Sequence, residues 1–404
     1  MIISIYGIPR SGKDTFINKV IAKNGNAFHL KGSETLNELS FKFFDCKFRQ
    51  LDDARQEQIR VEFTKHAKEL EKKYGLIIVD GHYSFPDGDK YRVVFTKADL
   101  ELYDAFFYLK RTGEEIIRNF NSDNKKDYSE QLLSTEKSEA WMEFEIRWMQ
   151  QEIEDADKDF IVLDSDPLSI DYVSNYKKTS RDIAEEIAGL IHKQANGRKV
   201  VLTDLDKTVS INDLTNDFIE HSGLDSHFPK VVFKGDYYTS YQFDRFHNYL
   251  FNTPNYNESI QYSLNRLVLN EHIINDLSKL KDDGSCVIAL TTGMVDAWSI
   301  KNNELNLFEN IYGCSKNNQI VITPFTKKLI AKHLSQKTDV LAIGDSVIDL
   351  GMILESKKGY IISMTKLDKR IIKAYENGKV DKTIFQPPYS VYKYDFVKEE
   401  EVKW

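Results

Sequence analysis

Two short stretches hold most of the side chains able to do chemistry. Residues 7–15 read GIPRSGKDT and residues 201–210 read VLTDLDKTVS. In the first, Gly7 and Gly12 bracket a turn that closes on Lys13. Glycines let the backbone fold until successive N–H groups point at one anion, a following helix adds the field of its N-terminus, and the lysine adds a full charge. Gly7, Arg10, Ser11, Gly12, Lys13, Asp14 and Thr15 are therefore the candidate cradle for ATP or a relative. Loops of this kind usually place Ser or Thr after the lysine to hold magnesium. Here Asp14 stands in that position, and either Asp14 or Thr15 is left to serve the cation. In the second stretch Asp204 and Asp206 are two residues apart on an extended segment. Period-two geometry sets both carboxylates on one side, so that they can converge on one phosphorus and one metal.

Other residues fall in with the first stretch. LIIVDGHY, residues 76–83, ends a buried-type strand in Asp80, which suits a carboxylate at the C-terminal edge of a sheet, near a nucleotide's metal. His82 follows it and reads equally as an acceptor contact or as a hydrogen-bonded structural histidine. Arg111 and Arg118 are seven apart in LKRTGEEIIRNF, two helical turns and so one face. Arginines placed that way can clamp a transferring phosphate under a closing lid; two surface arginines are the competing reading.

Elements must bring these residues together. Apolar runs at 2–6, 27–30, 76–79, 105–109 and 160–163 alternate with helical patterns, the rhythm of a parallel sheet covered by helices. A helix over 180–195 closes this half, and Asn196-Gly197 marks a linker. The alternation restarts at 199–203, 286–290, 319–323, 339–343 and 359–363. The expectation is an α/β protein of two domains, 1–195 and 199–404. Residues 211–283, rich in aromatics and short helical patterns, form a mainly helical cap on the second domain. Phe233, Tyr237, Tyr238, Tyr241 and Arg245 are candidates for its pocket or, more simply, for its core. The tail after Asp381 reads as an extended arm.

Bulk properties agree. A chain of 404 residues, 41% apolar and 29% charged, is long enough for two cores. Nothing in it resembles a secretory leader or a membrane span, which points to the cytoplasm. Cys46, Cys286 and Cys314 are too scattered for a zinc cluster or disulfide framework. The net charge of −8 does not favour nucleic acid as a partner. The basic pairs Lys125/Lys126, Lys177/Lys178 and Lys327/Lys328 read as solvated surface or site lysines.

GIPRSGKDT, IIVDGHY and the Arg111/Arg118 stretch resemble P-loop kinases of the nucleoside-monophosphate kinase type, over residues 1 to about 195. DLDKT resembles the first motif of the haloacid dehalogenase superfamily of phosphatases, over a Rossmann-like sheet. That second resemblance implies roles: Asp204 as nucleophile forming an aspartyl-phosphate, Asp206 as proton donor and then water activator, Thr291 (or Thr292) as the hydroxyl on the phosphoryl group, and Lys327 (or Lys328) as the stabilising cation. It also implies a Mg²⁺ site of Asp204 and Asp206, completed by Asp345 and Asp349. The four parts come in the family's order, and the insertion sits where the phosphoserine-phosphatase-like branch carries a cap.

Together these imply a bifunctional enzyme, an ATP-dependent kinase fused to a Mg²⁺-dependent phosphatase, both acting on small nucleotide-like phosphate esters. A polynucleotide 5′-kinase/3′-phosphatase that heals nucleic-acid ends, or a phosphatase regulated by ATP sensing, are the rival expectations.

Overall fold

IISIY and VVLT are short uncharged runs, the composition of strands covered on both faces, and each becomes an interior strand of a parallel sheet. The computed structural model describes residues 1–123, 127–235 and 237–404, so Lys125 and Lys126 lie outside the described residues. The chain divides into two units, Met1–Thr179 and Ser180–Trp404.

In the first unit β1 (Ile2–Tyr6), β2 (Ala27–Leu30), β3 (Leu76–Asp80), β4 (Ser84–Asp87), β5 (Lys90–Val93), β6 (Ala105–Leu109) and β7 (Asp159–Leu163) follow one another. Five of them form a parallel sheet in the order β2-β3-β1-β6-β7, and β4 with β5 makes an antiparallel hairpin that the sequence reading missed. The strand order reverses at β1, where the C-terminal strand ends open a crevice. Ile5 pairs with Asp80 and Tyr6 with Tyr108, so the chain leaves β1 at Gly7 beside the ends of β3 and β6. The loop then turns through left-handed conformations at Arg10 and Gly12, φ 69° and 81°, and enters the helix Lys13–Lys23. That helix has no side-chain cap.

In the second unit come β8 (Val200–Thr203), β9 (Cys286–Met294), β10 (Asn310–Cys314), β11 (Val340–Gly344), β12 (Lys358–Ile361), β13 (Phe385–Gln386) and β14 (Lys398–Glu399). They lie parallel in the order β10-β9-β8-β11-β12-β13-β14. The tail after Asp381 therefore supplies the last two strands. Thr203 pairs with Ala289 and Ile343, and the Asp204 N–H donates to Ile343 at 3.0 Å, so Asp204 emerges between the ends of β9 and β11.

Three boundaries differ from expectation. The helix Ser180–Ala195 forms as read, but it belongs to the second unit: Ala184, Ile187, Ala188 and Ile191 share a core with Val200, Leu202, Ile288, Leu334 and Val340. The stretch 319–323 is not a strand. Gln319 makes one isolated antiparallel bridge to Cys314, and Thr323 caps the helix Pro324–Ser335 through the Thr326 N–H at 3.0 Å; the strand of that unit is Asn310–Cys314. The insertion contains the helices Leu214–Ser222, Phe228–Val232, Ser240–Phe251 and Tyr256–Arg266. It leaves and returns through a narrow neck in which the Ile211 N–H donates to Val268 at 2.8 Å and the Asn270 N–H to Val209 at 2.9 Å. The next helix, Glu271–Asp282, already lies against β9 and is part of the sheet layer, not of the cap. Among the described residues no helix is long and apolar enough to cross a membrane.

Candidate active sites

The loop from 7 to 15 surrounds its own lysine. Lys13 is buried, and its ammonium donates to the carbonyls of Gly7 at 2.6 Å and Ile8 at 3.4 Å. Burial pulls it down to about 8, against the opposing pull of Asp80, Glu145 and Asp14. An open cavity of 780 Å³ lies over the loop, lined by residues 9–16 with Asp80, His82 and Arg111. Arg111 is half-buried and held in place, donating from Nε to Ser11 at 3.1 Å and from Nη1 to Asp164 at 2.9 Å. Arg118 is exposed and does not line this cavity. The spacing argument does not hold for this pair, because the helix Gly113–Ser122 starts after Arg111, with Thr112 as its cap. Asn119 occupies the wall instead, donating to the Arg10 carbonyl at 2.8 Å.

Asp80 sits where expected, at the end of β3. One oxygen accepts from the Gly32 N–H at 3.1 Å and lies 3.0 Å from His29 Nε2. Burial would raise this carboxyl, but His29 and the Gly32 hydrogen bond outweigh that and hold it below the usual range. Asp14, His29 and Asp80 each bring a donor atom within 4.8 Å of the others. Asp14 thus faces Asp80 across the loop mouth, whereas Thr15 is exposed on the cavity wall. Two carboxylates suit a hard cation accompanying phosphates. His29 had no signal in the sequence, since only the pairing of β2 with β3 brings it to Asp80. His82 lines this cavity and also a second one, of 440 Å³, on the other side of Asp80. Burial keeps its ring neutral by pulling its pKa well below the ordinary value.

In the second unit the residues expected to act together do converge. Lys327 is fully buried in the helix Pro324–Ser335, and its ammonium donates to Asp204 Oδ1 at 2.6 Å and Asp349 Oδ1 at 2.7 Å. Lys328, its alternative, points elsewhere, 5.9 Å from the Phe325 ring. Asp349 stands in the first turn of the helix Val347–Glu355; its Oδ2 accepts from the N–H groups of Asp345 and Ser346 at 3.2 and 3.3 Å. Asp204, Asp345 and Asp349 bring oxygens within 4.8 Å of one another. Burial and the charges of Asp349 and Asp204 push Asp345 well above the ordinary carboxylate range, and burial with Asp349 raises Asp204. One buried lysine among three carboxylates, of which Asp204 and Asp349 are buried and Asp345 half-buried, leaves an excess of negative charge. Such an all-oxygen donor set fits a divalent cation of the Mg²⁺ type.

Asp206 lines the same 580 Å³ cavity as this trio, but its carboxylate is outside the cluster. Its Oδ1 accepts from Trp298 Nε1 at 3.1 Å and from the Leu214 N–H at 3.3 Å. Burial, with the charges of Asp213 and Asp204, raises it well above the usual carboxylate value. Trp298 was not legible as a site residue, being an apolar position of an ordinary helix. Thr291 Oγ1 accepts from the Gly293 N–H at 2.9 Å, which leaves its own proton to be donated into the cavity that both Thr291 and Thr292 line. Of the five cap candidates, Phe233 and Tyr238 line the cavity together with Phe243 and Phe246. Tyr241 is buried, Arg245 lies over the Phe228 ring, and neither they nor Tyr237 reach the cavity wall.

No family model matches this sequence, and no curated protein matches it. Solved structures similar to it include a phospho-aspartyl intermediate analogue of phosphoserine phosphatase, 16% identical with a TM-score of 0.35, covering 44% of this chain and 98% of that one. A haloacid dehalogenase family hydrolase from Salmonella enterica serovar Typhi is 14% identical with a TM-score of 0.34, over 40% of this chain and 62% of that one. The Pnkp1/Rnl/Hen1 RNA repair complex is 15% identical with a TM-score of 0.25, over 87% and 91%. The functional reading rests on the side-chain geometry instead.

Proposed function

We propose that the chain is a bifunctional phosphoryl-transfer enzyme: the first unit moves a phosphoryl group from ATP to a small acceptor, and the second hydrolyses small, nucleotide-like phosphate esters. The observation that carries the reading is the Lys327 ammonium shared between Asp204 and Asp349, with Asp345 and Thr291 at the same cavity. No packing requirement calls for three carboxylates and one buried lysine at the ends of β8 and β11, because buried ionic clusters are seldom a source of stability. They are suited to binding a cation and a phosphoryl group.

In that cavity Asp204 attacks phosphorus, and the bond from phosphorus to the ester oxygen breaks. Asp206, whose burial favours the protonated form, gives its proton to the leaving oxygen. It then takes a proton from the water that attacks the aspartyl-phosphate, releasing inorganic phosphate and restoring Asp204. Lys327 and the Thr291 hydroxyl hold the phosphoryl oxygens. A Mg²⁺ ion held by Asp204, Asp345 and Asp349 would offset the repulsion between the nucleophile and its anionic substrate. In the first unit the loop amides and Lys13 hold the nucleotide's phosphates, Arg111 fixes the loop from the side, and Asp14 with Asp80 receives the accompanying cation. The adjoining 440 Å³ cavity sets the size of the acceptor, which favours a small molecule over a polynucleotide end.

The test uses the full chain with Mg²⁺ and γ-labelled ATP against nucleosides, nucleotides and 5′-hydroxyl oligonucleotides, with phosphate release followed on the matching esters. Asp204→Asn should abolish phosphate release and leave transfer intact; Lys13→Ala should do the reverse. Loss of both activities in either variant would sink the two-site reading. Preferential labelling of oligonucleotides would replace it with end healing, and phosphate release that responds to ATP without any transfer would replace it with ATP sensing.

A further inference from the structure

Strand β9 changes course at the end that carries Thr291. β8 pairs with it only as far as Ala289, and on the other side the register with β10 steps from Leu290 opposite Tyr312 to Met294 opposite Cys314. Thr291, Thr292 and Gly293 are looped out between those pairs, a bulge of the kind that re-aims side chains beside active sites. Both flanks of the bulge are closely set. A Cβ on Gly313 would come within 2.8 Å of the Thr291 carbonyl oxygen, so β10 lies tight against it. A Cβ on Gly293 would stand 3.2 Å from Asp206 Oδ2 and 3.3 Å from Thr291 Oγ1, so the bulge borders both groups at once.

A residue of the cap holds the middle of this bulge. His247, in the helix Ser240–Phe251, is only 2% exposed, and its Nε2 lies 3.0 Å from the Thr292 carbonyl oxygen. A carbonyl only accepts, so Nε2 carries the proton. Burial pulls the ring down to about 4 and leaves it neutral, which makes Nδ1 a bare acceptor. Nδ1 is buried and has no hydrogen-bond partner among the described residues. The ring sits instead among Phe243, Phe246 and Phe251. An aromatic pocket of this kind would take an apolar side chain without orphaning a nitrogen, so packing does not account for the imidazole. Its hydrogen bond to the bulge does.

We propose that His247 is a positioning residue for phosphate release: one hydrogen bond from the cap fixes the 291–293 bulge, so that Thr291 and Asp206 face the same phosphoryl group only while the cap is seated. The proposal rests on the phosphatase reading of the second unit for the reaction it serves, and on the bulge and its hydrogen bond for everything else. His247 does not line the cavity. Its influence passes through the Thr292 peptide, and so belongs to the chemical step more than to substrate binding.

The experiment compares the full-length parent with His247→Leu, His247→Gln and His247→Asn, following phosphate release from nucleotide esters with Mg²⁺ and hydrogen–deuterium exchange over residues 289–296. Leucine removes the hydrogen bond together with the orphaned nitrogen. Glutamine can set an amide N–H where Nε2 stands, and asparagine is too short to do so. His247→Leu should lower kcat by about 10- to 100-fold with little change in KM, the size expected when a reacting geometry is disturbed from a distance, and should speed exchange in the 289–296 segment. His247→Gln should recover most of both effects, and His247→Asn should recover neither. If the leucine variant does not fold, the glutamine and asparagine variants carry the comparison. Unchanged kcat in His247→Leu, unchanged exchange, or glutamine and asparagine variants that behave alike would overturn the proposal, because a packing role alone moves stability and not kcat. A parent that releases no phosphate, while exchange follows the variants as described, would remove the phosphatase reading and leave the hold of His247 on the bulge standing.

Discussion

Lys327 is the residue on which the second site turns. Its ammonium has two carboxylate partners and no exposed surface, so removing it leaves acids buried without a counter-charge. Loss of one member of a buried ion pair costs about 3–5 kcal/mol. Lys327→Ala should therefore lower the unfolding free energy by roughly that amount, measured in urea, and lose phosphate release as well. Millimolar Mg²⁺ should recover part of the stability and none of the activity; a variant as stable as the parent without Mg²⁺ would contradict the buried cluster. At this scale the sequence was informative for residues that stand in motifs. Lys13, Asp80, Asp204, Asp345 and Asp349 all stand in such motifs; the first two line one cavity and the other three another. It was silent about His29 and Trp298, whose neighbours come from other strands and helices.

The helix Ser180–Ala195 shows how a correct element can be assigned to the wrong partner. Its apolar stripe is plain in SRDIAEEIAGLIHKQA, but a stripe does not say which sheet will cover it. The covering surface is the second sheet. A fragment of residues 180–404 should fold and keep phosphate release, whereas one of residues 196–404 should not fold stably. Burial of Ile187 and Ile191 alone is worth roughly 1.5–3 kcal/mol each. Circular dichroism melts of the two fragments decide the matter, and equal melting temperatures would refute the assignment. The missed strand Asn310–Cys314 is a related case. It has a glycine and an exposed first residue, a weak strand signal, and it forms because β9 offers an edge with which to pair.

Over the whole molecule, two cores of this kind imply two cooperative transitions. Scanning calorimetry of the full chain should resolve two, since units with separate cores need not unfold together. A non-hydrolysable ATP analogue should raise one of them through binding linkage, and Asp204→Asn should leave that shift unchanged. One transition, or a shift abolished by Asp204→Asn, would show the units to be coupled.

What the sequence by itself determined was local: the apolar rhythm that makes both sheets parallel, the turn chemistry around Lys13, and the order of acidic, hydroxyl and basic residues along the second half. These depend on neighbours within a few positions, which a linear text records. The tertiary structure alone decided that Arg111 and not Arg118 meets the loop, that Asp206 turns to Trp298 while Asp204 takes Lys327, and that a second cavity lies beside Asp80. Each of those outcomes is a contact between residues far apart in the chain, and its identity follows from strand order and register, which the pattern of apolar residues does not specify.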